Sequence, residues 1–98
     1  MIDVVEVYWN ARPCLARLGI KPERVALDPR GEHLFNEVRQ AVMGAFPGVP
    51  TLVRIAVRKG APDPDLRILR GGTEVHGGLD SLRVLIEEAA ERGVPRAA

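Results

Sequence analysis

The chain holds a single cysteine, Cys14, in 98 residues. One thiol excludes an intrachain disulfide, a CxxC pair and a cysteine-based zinc site, so any redox chemistry here involves a second molecule. Long apolar runs are missing as well. No stretch approaches the roughly 18 to 20 residues of a membrane span, and no basic segment followed by an apolar one stands at the N-terminus. Together these absences predict a cytoplasmic protein with no membrane partner, in a compartment where a lone thiol stays reduced. Net charge is nearly absent too: at +1 it argues against nucleic acid or an acidic membrane as partner. Twelve of the fourteen basic residues are arginine, which fits a charge-laced surface better than a dedicated anion site. No repeat, low-complexity segment or internal boundary divides the chain. An apolar fraction of 46% against 28% charged residues suits one folded domain over residues 1–94, with 95–98 a disordered tail by composition.

The periodicities supply the elements. Ile2 to Trp9 is rich in β-formers and short of polar residues, which predicts an interior strand buried on both faces. Asn10-Ala11-Arg12-Pro13 breaks it, and Pro13 suits the first turn of a very short helix carrying Cys14, Leu15 and Leu18, stopped by Gly19. After Pro22, Arg24 to Leu27 reads as a brief strand with Val25 and Leu27 on one face. Asp28-Pro29 caps a longer helix whose Leu34, Val38, Ala41, Val42 and Ala45 recur at helical spacing until Phe46-Pro47-Gly48. His33 lies off that apolar stripe with no ligand-spaced partner nearby, so it reads as a solvated surface residue.

Pro50 marks the start of the next strand, since proline has no N–H to give a ladder. Thr51, Val53, Ile55 and Val57 alternate with Leu52, Arg54, Ala56 and Arg58. A loop over 58–65 and the run Leu66 to Arg70 then predict an antiparallel hairpin, whose Arg54, Arg58, Lys59, Arg67 and Arg70 read as a solvated, aggregation-resistant edge. Gly71-Gly72 ends the second strand or makes a tight turn. Gly77-Gly78-Leu79-Asp80-Ser81 leads into a last amphipathic helix, with Asp80 or Ser81 as N-cap and Gly93 as stop. The order β-α-β-α-β-β-α predicts an α/β fold of thioredoxin-like topology: a four-stranded mixed sheet with helices on both faces.

Several motifs then resemble one family. Val7-Tyr8-Trp9 is similar to the lead-in to the active-site loop of glutaredoxins and the related mycoredoxins, and Leu18-Gly19-Ile20 with Glu23-Arg24-Val25 and Asp28 resembles their passage into the second strand. Val49-Pro50-Thr51 resembles the cis-proline signature of the thioredoxin-fold superfamily. Gly77-Gly78-Leu79-Asp80-Ser81-Leu82 is similar to the opening of the last glutaredoxin helix. The departures fall at the chemistry. In place of CxxC or CxxS on a helix of several turns, only Asn10 to Cys14 separate Trp9 from Leu15, a shortfall of about two helical turns.

The resemblance implies a thiol-disulfide domain of monothiol, glutathione type with Cys14 as nucleophile, no bound cofactor and glutathione as co-substrate. Arg12 beside the thiol and the start of the short helix would favour thiolate. The backbone at Val49, with Pro50 and Thr51, would pair with the peptide of glutathione, while Gly78, Asp80 and Ser81 would hold its γ-glutamyl end. Other readings stay open, self-association through the hairpin edge among them. Cys14 is equally well read as a buried apolar residue, and the fold as a redox-inactive binding or adaptor module that takes a thiol peptide or a protein partner in the Pro50 groove.

Overall fold

A computed structural model describes residues 3–59 and 65–94; the tail after Val94, the first two residues and the centre of the 58–65 loop lie outside that range. In chain order the elements are β1 (Val5–Asn10), α1 (Arg12–Arg17), a 3-10 helix (Pro22–Leu27), α2 (Pro29–Ala45), β2 (Thr51–Ala56), β3 (Leu66–Arg70), β4 (Thr73–Val75) and α3 (Leu79–Gly93). The fold is α/β with a four-stranded mixed sheet in the order β2-β1-β3-β4. Within it β1 runs parallel to β2, and β3 is antiparallel to both β1 and β4.

The segments with local signals form as their residues dictate. Pro13 occupies the first turn of α1, which is six residues long, and Gly19 follows it with a positive φ of 73°. Asp28 caps α2: its carboxylate accepts from the Arg30 N–H at 2.9 Å and also grips the Arg30 guanidinium, which holds its pKa below the ordinary carboxylate value. Gly71 and Gly72, with φ of 58° and 82°, make the two-residue turn that joins β3 to β4, where both central positions need positive φ.

Non-local pairings depart from the sequence-based expectations. Arg24 to Leu27 is not a strand but part of the 3-10 helix, in which Arg24 N–H donates to the Lys21 carbonyl at 3.0 Å and Asp28 N–H to Val25 at 3.3 Å. Its Val25 is buried while Leu27 is 87% exposed, so the two do not share a face. The place beside β1 that a second strand would take is held by β2, and the segment satisfies backbone groups locally through its 3-10 turns instead. The expected hairpin of 51–57 with 66–70 is likewise replaced. These two strands flank β1 on opposite sides, and the hairpin in the molecule is β3 with β4. The topology is therefore β-α-(3-10)-α-β-β-β-α in place of β-α-β-α-β-β-α.

All of the buried apolar side chains belong to one core. Val5, Val7 and Trp9 of β1 and Leu66 and Ile68 of β3 point into it, and Leu34, Val38 and Val42 of α2 meet Leu82, Ile86 and Ala89 of α3 above them. Gly93 permits the close approach of the two helices, since a Cβ there would lie 2.5 Å from the Cα of Leu34 and 2.8 Å from the His33 carbonyl oxygen. The opposite side of the strands carries Glu6, Tyr8, Asn10, Leu52, Arg54, Arg67, Leu69 and Glu74, all half-buried or exposed. Helices thus cover one face of the sheet rather than both, and β1 is buried on one side only.

Candidate functional site

Cys14 sits at the C-terminal end of β1, where the ladder continues through Ala11 N–H to the Ala56 carbonyl at 2.7 Å before the chain turns into α1. Its side chain is 5% exposed and packed in the core with Leu15 and Ile20. The Arg17 guanidinium donates toward its sulfur at 3.6 Å and leans 3.9 Å from the Glu87 carboxylate of α3. Burial pushes the thiol pKa up; Arg17 pulls against it, and Glu87 and Glu91 add to the rise. Together these surroundings favour the neutral thiol over the thiolate. Arg12, next door, is half-buried, and its backbone N–H donates to the Asn10 side chain at 3.1 Å.

Pro50 lies at the other end of the same strand. Its carbonyl accepts from Val5 N–H at 2.9 Å, at the N-terminal start of β1. From Val5 to Asn10 at about 3.3 Å per residue, Pro50 and Cys14 are set roughly 16 Å apart along the strand direction. The expected cis bond is absent: Val49–Pro50 is trans, as is every described peptide bond. Reversal of the chain before β2 is accomplished earlier, by a type II turn with Pro47 and Gly48 (φ 76°) at its centre, closed by Val49 N–H to the Phe46 carbonyl at 3.3 Å. With that turn made, Pro50 has only to begin an edge strand. The Val49 backbone is also occupied on both sides, because its carbonyl accepts from the Thr51 hydroxyl at 3.0 Å.

Gly78, Asp80 and Ser81 stand beyond β4, at the sheet edge opposite to β2. Three strand spacings of about 4.8 Å separate the two edges by roughly 14 Å, so Pro50 and the start of α3 belong to opposite edges of the sheet. Gly78 itself, with φ 78°, takes the N-cap position in place of Asp80 or Ser81. A left-handed glycine there starts the helix at Leu79 and leaves Asp80 in the first turn, favourable to the helix dipole but exposed to solvent. The residues singled out by sequence are therefore distributed over three places: Arg12 and Cys14 at the top of β1, Val49 to Thr51 at the foot of β2, and Gly78, Asp80 and Ser81 beyond β4.

What the fold does bring together is the uncovered face. Across the strands, Leu52, Glu6, Leu69 and Glu74 form one row, and Arg54, Tyr8 and Arg67 the next. Arg54 lies over the Tyr8 ring, 5.8 Å from its centroid, and the Tyr8 hydroxyl donates to Glu6 at 3.1 Å. Arg67 reaches diagonally to Glu74 at 3.3 Å. Leu52 is 43% exposed at the end of its row. This is an amphipathic platform of two leucines, a tyrosine and four charges, on a sheet side that a three-layer fold would bury. The alternation over 51–58 puts Leu52 and Arg54 on a common face, while Arg54 and Arg67 read in the sequence as part of a hairpin edge. The signal that points to the platform is the polar alternation Glu6, Tyr8, Asn10 within β1.

No helix among the described residues is long and apolar enough to cross a membrane, and none of their His, Cys, Asp and Glu side chains group in threes that could hold a metal ion. No family model, curated protein or solved structure matches the chain.

Proposed function

We propose that this chain is a redox-inactive binding module on a thioredoxin-like sheet, and that it docks a protein partner on the sheet face that no helix covers. The observation that carries this reading is the platform itself: Leu52, Tyr8 and Leu69 stay accessible between charged side chains, while every large core residue is gathered on the other side. A sheet that leaves one face apolar enough to desolvate and polar enough to orient a partner has the anatomy of an interface core with a charged rim. A photo-crosslinking side chain installed at Leu52, compared with one at the exposed Met43 on the far side of α2, tests it in cells. Adducts from Leu52 and not from Met43 are expected; equal labelling, or none, would remove the docking face.

One observation favours a second reading, monothiol chemistry at Cys14 with glutathione as co-substrate: the Arg17 guanidinium 3.6 Å from the sulfur. Burial outweighs it. A thiol whose folded pKa is raised contributes stability that is intact below the ordinary thiol value of about 8.5 and is lost as pH climbs above it. The expected result is that native protein resists a thiol reagent at neutral pH, reacts on unfolding, and loses stability in alkali unless Cys14→Ala removes the titration. Fast labelling of the native thiol at pH 6 would restore the redox reading.

A further inference from the structure

The uncovered face is neutral overall but segregated by sign: Glu6 and Glu74 lie in one row with Leu52 and Leu69, and Arg54 and Arg67 flank Tyr8 in the adjacent row. A partner rich in carboxylates would satisfy the arginine row and meet Glu6 and Glu74 with like charge; a basic partner would do the reverse. A surface with the same two rows in opposite order matches both. Rotation by 180° about an axis that runs across the strands, midway between the rows, generates that surface from this one, because it inverts strand direction and turns the face over. We therefore propose, resting on the docking face assigned above, that its occupant is a second copy of this chain, packed face to face so that each Arg54–Tyr8–Arg67 row covers the other's Leu52–Glu6–Leu69–Glu74 row.

The arrangement is aligned sheet-on-sheet packing, in which two sheets about 10 Å apart interdigitate their inner side chains. It would turn the two-layer fold into a four-layer one and supply the cover that β1 lacks on its Glu6, Tyr8, Asn10 side. Arg54 lies over the ring of Tyr8, and no described carboxylate pairs with it, so the second copy's Glu6 would give it a counter-charge on burial. With strands about 4.8 Å apart and residues about 3.3 Å along them, the whole face offers on the order of 300 Å², less than the roughly 800 Å² per partner of a standard interface. A reversible, concentration-dependent dimer is the outcome that this area supports.

Sedimentation equilibrium on the full purified chain is the test. Wild type should pass from monomer to dimer with concentration, less readily at high salt. Arg54→Glu/Arg67→Glu, an all-acidic face, and Glu6→Arg/Glu74→Arg, an all-basic one, should each raise the dissociation constant by more than about tenfold, because like charges then face each other across the axis. Mixed in equal amounts, the two variants should associate with one another. Circular dichroism of each variant alone establishes that the fold is intact. A wild-type chain that stays monomeric at every concentration, or a dimer indifferent to both charge reversals, overturns the proposal, as does a mixture that fails to pair. Monomeric purified protein together with a Leu52 adduct in cells whose mass is not twice that of the chain would overturn self-pairing while leaving the docking face standing.

Discussion

The two faces of this sheet are made from the same strands, and a one-residue step along any of them passes from one regime to the other. On the covered side Val5, Val7, Trp9, Leu66 and Ile68 are buried under α2 and α3. On the open side their immediate neighbours Glu6, Tyr8, Arg67 and Leu69 remain partly in water, with Tyr8 bonded to Glu6 and lying under Arg54, and Arg67 paired with Glu74. Surface interactions of that kind are each worth at most about 1 kcal/mol, whereas a buried aliphatic side chain contributes about 1.5 to 3. Stability resides on one face, and the capacity to bind resides on the other.

That division can be broken from the covered side first. Leu34→Ala, at a fully buried position of α2 beneath α3, should lower unfolding free energy by about 2 to 5 kcal/mol in a urea titration, through lost transfer energy and the cavity left behind. A loss under about 1 kcal/mol would mean the core is not where the packing puts it. Gly93→Val comes next. Its Cβ would run into the α2 backbone at Leu34, and overpacking of this kind costs about 1 to 3 kcal/mol, read as a lower urea midpoint. The smallest effect belongs to the open face: in dilute protein, Leu52→Ser should shift stability by no more than about 0.5 kcal/mol, because Leu52 is an exposed residue outside the core. A large loss there would erase the contrast between the faces and with it the reason to regard the open one as a docking surface.

Much of the local structure was legible in the residues. Asp28-Pro29 announces a capped helix because the cap is a contact between residues two apart, and Pro47-Gly48 and Gly71-Gly72 announce reversals because their backbone angles are intrinsic to them. Cys14 could be placed on a short helix but not judged reactive or inert, since burial among Leu15, Ile20 and the core depends on what α3 brings to it. The candidate site was the least legible part. Val49-Pro50-Thr51 and Gly78-Leu79-Asp80-Ser81 carry a resemblance in sequence, yet their separation follows from which edge of β1 each neighbouring strand takes, and strand partners are chosen by non-local fit.

The amino-acid sequence alone determined the helix start at Asp28, the brevity of α1, the glycine turns, the period-two face of 51–57 and the capacity for a single core. Each of these is set by steric and hydrogen-bonding preferences within a few residues. Tertiary structure decided that 24–27 coils into a 3-10 turn, that β1 lies between β2 and β3, that Pro50 and Cys14 occupy opposite ends of a strand, and that one side of the sheet stays open. Those outcomes belong to competition for the two hydrogen-bonding edges and the buried face of β1, which no short window of sequence contains.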